Sequence, residues 1–65
     1  MTYGALKRRL RRLGVELVRE GRSHEVWRNP RNGLMAPIPR HRGEVPAGTL
    51  SAILRELGLT SSDLR

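Results

Sequence analysis

The segment that organises the chain is Gly21–Pro30, GRSHEVWRNP. Val26 and Trp27 favour a strand, because branched and aromatic side chains suit a pleated, half-buried surface. The glycine before them and the Asn-Pro pair after them favour chain reversals. The segment therefore predicts a short strand between two turns, with His24 at the start of the strand.

The predicted strand, His24–Asn29, has two faces, because successive side chains of a strand point in opposite directions. Trp27 is the better candidate for the buried face, since a large aromatic side chain gains most from leaving water. Glu25 shares that face, and the opposite, open face carries His24, Val26 and Arg28.

Two further strands are predicted, one on each side of this segment. The turn Pro30–Gly33 leads to a third strand, Leu34–Ile38, and Pro37 within it lacks the amide hydrogen that a central strand donates, so this strand should be irregular or lie at a sheet edge. The first strand, Val15–Glu20, has Val15 and Leu17 on one face and Glu16, Val18 and Glu20 on the other. Three consecutive antiparallel strands form a meander.

An amphipathic helix is predicted over Tyr3–Leu13 from the spacing of its apolar residues. Thr2 can cap its start, and Gly14 can adopt the left-handed conformation that closes its end. The rest of the helix surface is cationic and contains no acid, so a nearby anion would relieve the repulsion. These cations are Lys7, Arg8, Arg9, Arg11 and Arg12.

A second helix is predicted to begin near Pro46, with Thr49 as an alternative cap, and to end at Gly58. A capping-box pattern over Thr60–Asp63 predicts one last short turn. The element order predicts an α+β fold, αβββα, with a three-stranded antiparallel sheet and both helices on one face. We expect residues 1–65 to form a single domain.

The charge balance points to a polyanionic partner. Twelve arginines and one lysine face six acids, which gives a net charge of +7 and a pI of about 11.7. The planar fork of arginine suits phosphate and stacks on bases, so the bias favours nucleic acid. Genomic base composition also enriches arginine, and the charge alone does not decide the function.

The absence of cysteine excludes a disulfide framework, an iron–sulfur cluster and a thiolate zinc site, and it fits a reducing compartment. No apolar run is long enough to cross a bilayer, and the N-terminal segment lacks the apolar stretch of a signal peptide. We therefore expect a cytoplasmic protein with no membrane partner.

The sequence contains the residues for few known types of catalytic site. The two histidines and scattered carboxylates have no metal-ligand spacing, so neither a metal nor another cofactor is expected. Cleavage of RNA needs little more than a histidine among arginines, because the 2′-hydroxyl of the substrate is the nucleophile. His24 would transfer a proton while Arg22 or Arg28 binds the phosphate. By residue chemistry alone, however, such a histidine is more often an inert surface residue, and so is His41.

Several short motifs occur in a recognisable order. A helix ends at Leu13-Gly14, Gly21–His24 precedes a strand, Asn29-Pro30 follows it, and then come Ile38–His41, Gly48–Leu50 and Leu57–Leu59. In this order and at these spacings, the chain resembles HicA-type (YcfA-like) mRNA interferase toxins of HicA/HicB toxin–antitoxin pairs over nearly its whole length.

The resemblance implies a double-stranded-RNA-binding-domain-like αβββα fold and a type II toxin that cleaves mRNA as a metal-independent endoribonuclease. The catalytic histidine of the family follows Gly-Ser and corresponds to His24, with Arg22 where the usual pattern has glycine. A HicB-like antitoxin with an acidic docking surface is the implied protein partner, and it would cover the His24 face. The RNA-binding residues expected around the site are Arg8, Arg12, Arg22, Ser23, Arg28 and Arg40.

Two other functions remain open. A non-catalytic, double-stranded RNA-binding module would carry a lysine cluster at the start of its second helix, whereas this chain has Pro46–Thr49 there. A DNA-binding or ribosome-associated protein would explain the charge but gives no reason for the His24 segment.

Overall fold

The computed structural model describes all residues, Met1–Arg65. Its elements follow the predicted order, and their bounds differ from the predicted ones by about one residue. They are α1 (Tyr3–Arg12), β1 (Glu16–Glu20), β2 (His24–Arg28), β3 (Met35–Pro39), α2 (Ala47–Glu56) and a short 3₁₀ helix (Ser61–Leu64). Neither α1 nor α2 has the length and apolar character needed to cross a bilayer.

The three strands form an antiparallel sheet in the order β1-β2-β3, so β2 is the central strand. The predicted edge position of β3 is confirmed. Pro37 lies opposite Val26 and Pro39 lies opposite His24. A strand with two prolines is tolerated here because one side of β3 has no neighbour that needs its amide hydrogens.

The pairing of β1 with β2 contains a bulge, and it corrects one prediction. Leu17 pairs with Trp27, but the next ladder position pairs Arg19 with Val26, so Val18 is the extra residue. The alternation of faces therefore changes after Leu17. Glu20 pairs with Glu25 and so lies on the face covered by the helices. Simple alternation predicts Glu20 on the other face of the sheet from Leu17, and this prediction is wrong.

Both helices pack on one face of the sheet, as predicted. Trp27 of β2 and Ile38 of β3 are completely buried on this face, whereas Met35, on the opposite face, is 55% exposed. The helices contribute the other half of the core, with Leu6 and Leu10 from α1 and Ile53, Leu54 and Leu57 around α2. This arrangement leaves the second face of the sheet open to solvent.

The helix ends follow local sequence signals. The hydroxyl of Thr2 accepts a hydrogen bond of 3.1 Å from the Ala5 amide, so the predicted cap is confirmed. Helix α2 begins immediately after Pro46, and the alternative start at Thr49 is wrong. Gly58 ends that segment with a φ of 69°, in the left-handed region that glycine adopts without a steric cost.

Asn29 is the only buried polar residue of the chain. Its Nδ2 donates to the carbonyl oxygen of Leu57 at 2.9 Å, and its Oδ1 accepts from the Arg31 amide at 3.1 Å. These bonds satisfy the amide that burial would otherwise leave without partners. They also attach the β2–β3 turn to the end of α2.

Candidate functional site

His24 is the first residue of β2 and is exposed on the open face of the sheet. The chain reverses immediately before it, where the Gly21 amide donates to the His24 carbonyl at 2.7 Å. A β-carbon on Gly21 would lie 3.0 Å from this oxygen, so a side chain there would require the oxygen to shift by a few tenths of an ångström. On the other side, the Arg40 amide donates to the Ser23 carbonyl at 2.9 Å. The backbone around His24 is thus held by both neighbouring segments.

The imidazole of His24 has one protein partner. Its Nδ1 lies 3.0 Å from the hydroxyl oxygen of Ser23, and Nε2 forms no hydrogen bond with the protein. When one ring nitrogen is held by a neighbour, the other is oriented for proton transfer to a ligand. The geometry therefore presents Nε2 of His24 to the solvent on the open face.

A carboxylate lies on the reverse side of the same strand. Oε1 of Glu25 accepts a hydrogen bond of 3.1 Å from Nε1 of Trp27 and forms an ion pair of 2.9 Å with Nζ of Lys7. Burial raises the pKa of Glu25, but the bonds from Lys7 and Trp27 and the charges of Lys7 and Arg40 outweigh it, so the pKa lies below its ordinary value. This pair attaches α1 to β2 next to His24.

Arg40, one of the predicted RNA-binding residues, is engaged within the protein. Its Nη2 lies 3.0 Å from Oε1 of Glu20, on the helix-covered side of the sheet. The β1 bulge makes this pair possible, because it turns Glu20 towards that side. Arg40 therefore braces the segment before His24 through both its backbone and its side chain.

Arg22 and Arg28 remain free of carboxylate partners. Arg22 is exposed in the turn before β2, two residues from His24. Arg28 shares the open face with His24 but stands at the other end of the strand, and a rise of about 3.3 Å per residue puts their backbones roughly 13 Å apart. Arg22 is thus the nearer candidate for a phosphate at the imidazole.

Arg8 and Arg12 do not join this site. Both are exposed on α1, which packs on the helix-covered face, so the sheet separates them from His24. Sequence periodicity predicted both the cationic face of α1 and the position of the helices on the side of the sheet away from His24, and the structure agrees with both. The structure brings Ser23 to the imidazole, leaves Arg22 exposed two residues before it, places Arg28 on the same face, and puts Arg40 behind it.

Comparison with known protein families identifies the family of this chain. A family model described as "HicA toxin of bacterial toxin-antitoxin" matches residues 5–59. The chain belongs to the HicA toxin family. The match runs from α1 through the end of α2 and includes the whole sheet. A search of curated proteins found no match.

Membership in the HicA family assigns the chain to the toxins of bacterial toxin–antitoxin systems, which implies an antitoxin partner. The resemblance predicted from the order of motifs is therefore confirmed. Two pairs that sequence reasoning missed, Lys7–Glu25 and Glu20–Arg40, hold the His24 segment in this HicA fold. Neither ion pair could be predicted from a local sequence pattern, because its two residues come from separate elements of the fold.

Replacing Ser23 by alanine is expected to lower the rate of the RNA cleavage implied by the sequence resemblance about two- to tenfold, because one hydrogen bond worth about 0.5–1.5 kcal/mol no longer orients His24. Stability should change little, since Ser23 is exposed. Measuring the rate of RNA cleavage by both proteins would check this, and their thermal unfolding would serve as the control for stability. An unchanged rate, or a loss of stability as large as the loss of rate, would contradict the positioning role.

Replacing Glu25 by glutamine is expected to destabilise the fold by about 1 kcal/mol at pH 7, because the acceptor of the bond from Lys7 loses its negative charge. The folded-state pKa of Glu25 is lowered, so its contribution is complete above the ordinary value of 4.5 and disappears as the pH falls through the lowered pKa. Urea unfolding of both proteins should therefore show a gap at pH 7 that narrows at low pH. Glu56→Gln, at an exposed acid without an ion pair, should show neither effect.

Proposed function

We propose that the chain is a metal-independent mRNA endoribonuclease in which His24 transfers the proton at the reacting phosphate. The observation that carries this proposal is the exposure and hydrogen bonding of the His24 imidazole. It is exposed on the open face, its Nδ1 is held by Ser23, and its Nε2 has no protein partner. Membership in the HicA toxin family supports an activity that harms the cell, and mRNA cleavage is such an activity.

The chemistry requires only groups that the RNA, this site and water supply. The 2′-oxygen attacks the adjacent phosphorus, the bond from phosphorus to the 5′-oxygen breaks, and a 2′,3′-cyclic phosphate and a 5′-hydroxyl result. The 2′-hydroxyl loses a proton and the leaving 5′-oxygen gains one. Nε2 of His24 can act at either step, and water serves at the other.

Arg22 is the proposed phosphate ligand at the cleaved bond. It is exposed, has no carboxylate partner and lies two residues before His24. A guanidinium stabilises the negative charge that grows on the phosphoryl oxygens during attack. Ser23 and Arg28 extend the proposed RNA contact along the open face, and Arg40 supports it from behind.

A HicB-like antitoxin is the proposed protein partner, docking an acidic surface over the His24 face. The net charge of +7 favours an acidic partner and speeds its association. Because the proposed substrate is mRNA, we place the activity in the cytoplasm.

The test is incubation of the purified protein with single-stranded RNA in the presence of a chelator. We expect cleavage with 2′,3′-cyclic phosphate ends, and no cleavage of the same strand with 2′-deoxyribose throughout. Intact RNA that is nevertheless bound would contradict the proposed reaction and favour the non-catalytic RNA-binding module. Cleavage that stops in the chelator would contradict metal independence.

A further inference from the structure

A small surface cavity lies between the second half of α1 and the 3₁₀ helix. Its volume is about 200 Å³, and it is the only cavity found in the structure. Arginines supply half of its lining residues, although they come from opposite ends of the chain. The lining comprises Arg9, Arg12, Leu13, Asp63, Leu64 and Arg65.

The cavity carries an excess of positive charge that the protein does not neutralise. None of its three arginines forms an ion pair. The one acidic side chain, Asp63, accepts from the amide and the hydroxyl of Thr60 at 2.7 and 3.1 Å and keeps its negative charge, so the three arginine side chains still outnumber it. Nη1 of Arg9 donates to the carbonyl oxygen of Leu64 at 2.6 Å, so one guanidinium is held in place before any ligand arrives.

The cavity is distant from His24. Lys7 contacts Glu25 near the start of β2, whereas Arg11 lies 5.0 Å above the ring of Trp27 farther along the strand. Helix α1 therefore runs in the direction of β2, and its C-terminal end lies towards the strand end opposite His24. The cavity is also on the helix-covered side of the sheet. A group bound there does not touch the imidazole.

We propose that this arginine cavity binds a backbone phosphate of the RNA outside the cleaved bond, as a second anchoring point. A guanidinium fork matches two phosphoryl oxygens at once, and three such groups suit a phosphodiester. Only Leu13 and Leu64 are apolar among the lining residues, whereas the anchors of protein partners are aromatic or apolar side chains in dry pockets. The inference rests on RNA being the ligand of the proposed function.

The salt dependence of RNA binding tests the proposal without requiring cleavage. The probe is a fluorescent single strand with 2′-deoxyribose throughout, which His24 cannot process. For the double variant Arg12→Gln, Arg65→Gln we expect binding at least about threefold weaker, with a slope of log K against log salt that is smaller by about 0.7. Arg9 is left intact because it holds Leu64.

Arg55→Gln is the matched control, because Arg55 is exposed on α2 and outside the cavity. An unchanged slope in the double variant, or an equal decrease in Arg55→Gln, would overturn the proposal. Titration with inorganic phosphate, followed by amide signals of Leu64 and Arg65, should show a saturable shift that the double variant loses. The absence of any shift would overturn the proposal. A shift that an acidic peptide reproduces but the deoxyribose strand does not would also overturn it. Failure of the nuclease proposal would appear separately, as intact natural RNA.

Discussion

Replacing His24 by alanine is expected to lower the rate of RNA cleavage about 10²–10⁴-fold, the range that a positioned acid or base contributes. The side chain is exposed and its only hydrogen bond is to Ser23, so its removal leaves no cavity and no buried unpaired group. Folding should therefore be retained. Single-turnover cleavage of a labelled strand would give the rate, and circular dichroism would show the fold.

His41→Ala provides a matched control for this prediction. His41 is the second histidine of the chain, and its ring packs against Tyr3, with centroids 5.5 Å apart, on the α1 side of the molecule. We expect His41→Ala to cleave RNA at nearly the wild-type rate. Full activity in His24→Ala, or a loss of activity confined to His41→Ala, would remove His24 from the mechanism.

Replacing Trp27 by alanine is expected to destabilise the fold by about 3–5 kcal/mol. Trp27 is completely buried in the central strand, its Nε1 donates to Glu25, and its ring lies under the guanidinium of Arg11. A chain of this length has a total stability of only about 3–10 kcal/mol. The variant should therefore lose about a third or more of the stability of the fold. Urea unfolding followed by circular dichroism would measure the change.

Two variants separate burial from the polar contact at this position. Trp27→Phe keeps most of the apolar volume but loses the bond to Glu25, so we expect a smaller loss, of about 1–3 kcal/mol. Met35→Ala removes a large apolar side chain that is 55% exposed on the open face, and its effect should stay within about 0.5 kcal/mol. Equal stability losses for Trp27→Ala and Met35→Ala would contradict the assignment of the buried face.

Much of the fold could be predicted from sequence because its signals are local. Alternation in β2 separated Trp27 from His24, and the structure confirms that the first is buried and the second exposed. The cap at Thr2 and the glycine end at Gly58 depend on the conformations of single residues. These features need no knowledge of distant partners, and so they were predictable.

The bulge at Val18 could not be predicted in the same way. Alternation assumes an unbroken ladder, and a single extra residue exchanges the faces of all residues that follow. The register that creates the bulge depends on how β1 meets β2. The error in the orientation of Glu20 follows directly, and with it the missed ion pair to Arg40.

The sequence alone determined the order of the elements, the buried face of the central strand and the position of His24 on the open face. These follow from side-chain periodicity and from the conformational preferences of single residues, which act over a few residues of chain. Only the tertiary structure decided which cations are free. It pairs Lys7 with Glu25 and brings Arg9 and Arg65 to one cavity. The sequence alone could not decide these contacts, because they depend on how helices and strands pack across long separations in the chain.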